Sequence, residues 1–285
     1  MTIRAVAAWL ILVGLFAGTA TYILVAVPDT DGPRPASAPA TLAHSDGLSD
    51  RHAGYQLVPV TLPTARADRA PVAFRIVGPD GSPVAGYAVA QAVPLHLYVV
   101  REDLSGYQHL HPSRVADTWN ATVRVPDGGV YRLYAEFVPA ELAGARNPIV
   151  LGTRFIITGD TAPTTLPRPA AATRVAGFTV RRLDGTAPLV AGPPVALRFQ
   201  VLDRRGAPVT TLEPYLGAYA HVSAFDVLTQ ALTHLHPVIP PAAPPPGDGT
   251  LPFHAAFHHR GWHRLFLQFR AGGTVHLAAF TVLVS

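Results

Sequence analysis

From residue 56 onward the chain is built of short, largely apolar runs separated by turn residues, each run bounded by Gly, Pro or Asp. Residues 56–62, 72–77, 93–100, 118–125, 130–137 and 149–158 are rich in Val, Ile, Tyr and Phe, which favour a pleated strand lying on a core. The pattern predicts a strand at each. No stretch of this region repeats convincingly at the 3.6-residue period of an amphipathic helix. Near the N terminus the pattern changes character. Residues 5–27 are uncharged and almost wholly apolar, and a helix of that length, at about 1.5 Å per residue, covers a bilayer core. Arg4 precedes the run and Asp29 and Asp31 follow it, an order that leaves the N terminus in the cytoplasm and the body outside. A cleaved signal peptide is the competing reading, with Gly18, Thr19 and Ala20 as small residues for a peptidase. The apolar core of such a peptide is about 7–15 residues long, however, and here the run continues through Val27. The expectation is a cell-membrane protein with one N-terminal transmembrane helix, residues 1–27, and an extracytoplasmic C-terminal body.

Residues 28–55 turn to Pro, Ala, Ser, Asp and Gly without a hydrophobic period, the composition of a flexible tether. A second Pro- and Thr-rich stretch, 159–172, divides the remainder into two series that are copies of each other. Shifted by 125 residues, Phe74, Gly81, Pro83, Val84, His96, His109, Leu110, His111 and Pro112 fall on Phe199, Gly206, Pro208, Val209, His221, His234, Leu235, His236 and Pro237. Such self-similarity marks a duplicated domain. Further on, Gly129 to Phe137 aligns with Gly261 to Phe269 at a shift of 132, after a Pro-rich insertion around residues 240–249. About seven short strands in roughly 100 residues predict an all-β protein: two tandem immunoglobulin-like antiparallel β-sandwiches, residues 56–158 and 173–285. Asp127, Gly129 and Tyr131 have the spacing of a tyrosine corner. The second copy has His259, Gly261 and His263 there, so an imidazole is expected in place of the phenol.

Composition narrows the chemistry. The chain has no Cys and a single Met, which removes thiolate nucleophiles, iron–sulfur clusters, zinc–thiolate sites and blue copper. Its formal charge is +4, every one of its 22 cationic residues is Arg, and charged residues make up only 14% of it. There is no cationic run of the kind a nucleic-acid surface needs, and no nucleic-acid partner is expected. Gly-x-Ser-x-Gly, His-Glu-x-x-His and an obvious pair of carboxylates are also missing from the sequence, so the chain is read as a protein other than an enzyme.

Histidine is what points to chemistry, since eleven of the 13 lie in the two repeats. In each copy a strand histidine, His96 or His221, is followed thirteen and fifteen residues later by His-Leu-His-Pro, which places His109 and His111 or His234 and His236. Alternation turns both imidazoles of His-x-His to one side, and a hairpin returns them beside the first. Three converging imidazoles suit a copper or zinc ion, the expected cofactor. His276 offers the second copy a fourth nitrogen where the first has Leu151. The fuller site is therefore expected at His221, His234, His236 and His276, the lesser one at His96, His109 and His111. Other readings stand beside this one. His276 shares strand parity with Phe280 and Val282 and suits a core histidine, His263 suits a corner, and His109 and His111 suit a turn whose backbone they bond. His254, His258 and His259 cluster before the penultimate strand, while His44 and His52 fall in the tether and are expected to be solvated.

Residues 95–112 and 129–137 resemble a family of secreted or membrane-anchored bacterial proteins, common in high-GC Gram-positive organisms, that are sometimes labelled heavy-metal-binding. Leu216 to His221 and Gly272 to His276 resemble that family's second half. The resemblance covers residues 56–285 and implies an extracytoplasmic β-sandwich protein with a place in copper or heavy-metal handling; Leu151 departs from a full site in the first copy. The alternative is a binding or structural module of two immunoglobulin-like domains that meets an envelope protein partner without a metal.

Overall fold

A computed structural model of the chain describes residues 44–285 except 146, 240–242 and 244–246, and at His234 and His236 the backbone alone. Residues 1–43, which include the run expected to span a membrane and most of the expected tether, lie outside the described residues; among those described, no helix is long and apolar enough to cross a membrane.

The first repeat contains β1 (Arg51–His52), β2 (Tyr55–Thr61), β3 (Ala67–Val77), β4 (Tyr87–Ala88), β5 (Leu95–Arg101), β6 (Gln108–Leu110), β7 (Ser113–Val115), β8 (Thr118–Val125), β9 (Gly129–Pro139) and β10 (Ile149–Ile157). One sheet has the order β1-β2-β3-β8-β7 and the other β10-β9-β5-β6, with β4 against β9. The sheets close on Leu57, Phe74, Leu97, Trp119 and Leu133, an immunoglobulin-like order. At the start of β9 the Tyr131 hydroxyl donates to the Asp127 carbonyl at 3.0 Å, which forms the expected corner.

The second repeat contains β11 (Ala172–Val175), β12 (Phe178–Arg182), β13 (Val195–Leu202), β14 (Ala220–Asp226), β15 (Leu232–Pro237), β16 (Thr250–Ala255), β17 (Gly261–Ala271) and β18 (Thr274–Val284). Here the strands follow one path, β11-β12-β13-β16-β15-β14-β17-β18, around a core that includes Leu197, Phe199, Val222, Leu265 and Phe280. The continuity has a local cause. In the first repeat His111 and Pro112 interrupt the ladder, so β6 pairs with β5 and β7 with β8. In the second, β15 runs unbroken, pairing with β14 through Leu235 and with β16 from His236. The corner also differs from expectation: His263 Nδ1 lies 3.2 Å from the Gly261 carbonyl, only two residues back. The imidazole therefore does not replace the phenol's longer bond across the corner.

Strand registers repeat along with the sequence. Leu97 and Tyr98 pair with Leu110 and His109, as Val222 and Ser223 pair with Leu235 and His234; His96 lies opposite Glu136, as His221 lies opposite Gln268.

The repeats pack through the sheets that carry β5 and β14. On β5, Leu95, Leu97 and Val99 enter their own core, which leaves His96, Tyr98 and Val100 on the opposite face. On β14 the opposite face carries His221, Ser223 and Phe225. Every residue of both strands is buried, because each strand is covered by its own sandwich on one side and by the other repeat on the second. Tyr98, Tyr107, Tyr134 and Val150 form one apolar cluster with Phe225, Leu232 and Phe266. Tyr107 stacks on Phe266 with ring centroids 4.2 Å apart, a contact worth about 0.5–1.5 kcal/mol beyond the area it buries. The Tyr134 hydroxyl donates to the Gln230 carbonyl at 2.7 Å. Residues 45–49 lie across this junction as a strap. Val150 N donates to Ser45 Oγ, Leu232 N to the Asp46 carbonyl and Gly152 N to the Ser49 carbonyl, each at 2.8 Å. A side chain at 152 would run into the Gly47 carbonyl, which accounts for glycine there.

Candidate metal centre at the repeat interface

His96 from β5, His109 from β6 and His111 just beyond it converge, and one ring nitrogen of each lies within 4.8 Å of the others. Their ring centroids are 5.2, 5.3 and 5.0 Å apart for the pairs 96–109, 96–111 and 109–111. An ion about 2.1 Å from each ligating nitrogen, with tetrahedral angles, holds imidazole centroids about 5 Å apart. The three rings have about that spacing.

The outer nitrogens are held from behind. His96 Nε2 lies 3.2 Å from the Ala90 carbonyl, and His109 Nδ1 lies 2.8 Å from Gln268 Oε1 of the second repeat. A carbonyl only accepts, so each of these nitrogens carries the proton of its ring and the opposite nitrogen carries a lone pair. Those two lone pairs, on His96 Nδ1 and His109 Nε2, face each other at 2.9 Å. Two acceptors in that position are reconciled by a proton or a metal cation between them. Without a metal, the Gln268 amide turns its nitrogen toward His109, whose Nε2–H then donates to His96, and the network closes as a neutral one. His111 Nε2 is buried and has no hydrogen-bond partner among the described residues.

Electrostatics favour neutral, ligand-ready rings. Burial is the main cause that pushes His109 well below the usual histidine range, helped by His96 and His221. Burial, with His96 beside it, brings His111 down to about 4. Glu136, opposite His96 and only 5% exposed, hydrogen-bonds Tyr98, whose hydroxyl is pushed up chiefly by burial and further by that carboxylate. A buried carboxylate stabilises positive charge placed nearby.

The other sequence-predicted ligands fall differently. His221 sits against the first-repeat triad, its ring centroid 5.8 Å from that of His109 and 6.5 Å from that of His96. For His234 and His236 only the backbone is described, at the register equivalent to His109 and at the pairing of β15 with β16. His276 pairs with Phe269 on β17, whereas His221 pairs with the adjacent Gln268. Adjacent strand positions face opposite sides, so the sheet separates His276 from His221. The His276 ring rests on Phe178 and Phe269, and its Nε2 lies 3.2 Å from the Ala271 carbonyl, the core-histidine arrangement. At the strap, His44 stacks on His258 at 3.9 Å, and His259 Nε2 lies 3.7 Å from Asp46 Oδ2. His44 is thus held on the second repeat.

Sequence reasoning missed Gln91, Glu136 and Gln268. The signal available for two of them is the repeat itself, since Glu136 and Gln268 occupy one aligned position and each lies opposite a strand histidine.

These features define a class: a tandem immunoglobulin-like β-sandwich protein with a buried histidine cluster where its two repeats meet. A family model described as a domain of unknown function (DUF8832) matches residues 58–145 and 173–285, and the chain belongs to that family. No curated protein matches it. Among solved structures it is similar to the Lin-41 filamin domain at 11% identity, with a TM-score of 0.27 over 41% of this chain and 96% of that one. It is also similar to the Escherichia coli adhesin FdeC (14% identity, TM-score 0.25, 86% of this chain and 67% of that one). A third is invasin, a bacterial integrin-binding protein (11% identity, TM-score 0.26, 81% of this chain and 39% of that one).

Proposed function

We propose that the chain is a non-catalytic metal-binding module that holds one Cu(II) or Zn(II) ion at His96, His109 and His111, anchored at the outer face of the cell membrane by residues 5–27. The observation that carries this reading is the spacing of the three rings, near 5 Å throughout, with the two outer nitrogens of His96 and His109 tied to carbonyl oxygens. The donor set is all imidazole, which suits borderline cations and gives no thiolate to retain Cu(I). Burial favours retention over rapid exchange. The direct test is calorimetric titration of the full-length protein with Cu(II) and Zn(II): one ion per chain supports the reading, and the His109→Ala protein should lose it.

The second reading is an envelope-facing binding module in which the cluster is a neutral polar core. It is favoured by the bonds that weld the repeats, Tyr107 to Ser223 and Tyr134 to Gln230, and by the alternative setting of the Gln268 amide. A parent protein that takes up no metal, with both repeats unfolding as one unit, would select it.

A further inference from the structure

We infer that the metal centre belongs to both repeats: His221 supplies a fourth nitrogen, Nδ1, and Gln91 occupies that ligand position until a metal takes it. The inference rests on the reading of His96, His109 and His111 as ligands and extends it across the interface.

His221 is the counterpart of His96, and its surroundings repeat the pattern. His96 Nε2 lies 3.2 Å from the carbonyl of Ala90, six residues upstream; His221 Nε2 lies 2.7 Å from the carbonyl of Tyr215, also six residues upstream. The carbonyl takes the Nε2 proton in both, so each Nδ1 carries the lone pair. In His96 that lone pair faces His109. In His221 the Nδ1 faces Gln91 Oε1 at 2.9 Å; two oxygens cannot both be met by one ring proton, so a neutral His221 turns this amide to present its N–H to Nδ1.

Gln91 reaches this place from a strained turn. Ala90 and Val93 bridge a two-residue loop in which Gln91 and Ala92 both have positive φ, 47° and 69°, a conformation costly for residues with a Cβ. The aligned loop of the second repeat, bridged from Tyr215 to Ala218, has Leu216 at φ 57° and Gly217 at φ 74°. A Cβ at Gly217 would lie 3.4 Å from Gln91 and Ala92 atoms, so the two turns are in contact. Withdrawal of the Gln91 amide releases His221 Nδ1 from that contact. His221 lies outside the set of nitrogens within 4.8 Å of one another, and its ring separations of 5.8 and 6.5 Å to His109 and His96 close by about 1 Å to reach the tetrahedral spacing. Gln268 of the second repeat already orients His109 of the first. A metal held this way joins the repeats.

The test is electron paramagnetic resonance of the Cu(II)-loaded full-length protein, with affinities from competition titration. The parent should show four coupled nitrogens. His221→Ala should show three and bind at least ten-fold more weakly. Because His221 is buried, Gln91→Ala is the second variant: it deletes the competing amide without touching a ligand, and should bind Cu(II) several-fold more tightly. Three nitrogens in the parent, with affinities unchanged in both variants, would overturn the shared site and leave the triad reading standing. A parent that binds no Cu(II) would overturn both.

Discussion

The two repeats present the same histidines at the same strand register, yet the first ends its strand before His111 while the second runs on through His236 to Pro237. Outside the ladder, the His111 ring stands at 81° to that of His96 and 76° to that of His109, closing a three-sided cluster. The second repeat uses the same length of chain to carry its strand from one sheet to the other. Its additional histidine, His276, lies on the core face with Phe269, across the sheet from His221. A duplicated motif is thus a duplicated backbone, and a side chain's role depends on the face it takes and on whether the ladder continues beneath it.

The largest effect expected from this contrast is on metal binding. His109→Ala should weaken Cu(II) binding by at least about 100-fold, since it deletes a ligand from a three- or four-coordinate set, whereas His276→Ala should change it less than about two-fold; competition titration of both proteins measures the difference. If His276→Ala is the damaging one, the faces have been assigned the wrong way round. Next is the interface that aligns the two halves. Tyr107→Ala removes a buried ring from its stack on Phe266, and denaturant unfolding should show a loss of about 3 kcal/mol or more.

A smaller change is expected from the residue that orients His109. Gln268→Leu should weaken Cu(II) about ten-fold, while Gln268→Glu, an acceptor at every setting and the residue the first repeat carries at this position, should retain it. Stability without metal should depend on pH with a definite sign. His109 and His111 are neutral in the folded chain at pH values where the unfolded chain protonates them. The unfolded state then binds more protons, so thermal stability should fall as the pH drops from about 6.5 toward about 4 and stay level above that window. Replacing His111 with Phe should reduce the slope. The smallest effect belongs to the strap: His258→Ala deletes the ring under His44 and should shift stability by less than about 1 kcal/mol.

The all-β class and the strand positions were legible because strand-forming and turn residues act locally, and the duplication because the chain matches itself at a fixed shift. The run at residues 118–125 predicts a strand, and β8 has those limits. The docking of the repeats was not legible. Tyr98, Val100, Phe225 and Phe266 read as scattered apolar positions on the outer face of an ordinary sandwich, and only their mutual burial shows that the face is covered. Nor could spacing reveal Gln268 behind His109 or Gln91 beside His221, since these contacts span 159 and 130 residues of chain. The docking of His44 on the second repeat has the same origin, for composition alone cannot distinguish a free tether from one bonded along a sheet edge.

If one ion sits among the three rings of the first repeat, at the face shared with the second, anomalous diffraction at the copper edge from crystals of the Cu(II)-loaded protein should show a single peak within bonding distance of His96 Nδ1, His109 Nε2 and His111 Nε2. A peak at His44 and His258 with none among these three, or no peak at any histidine, would contradict that placement.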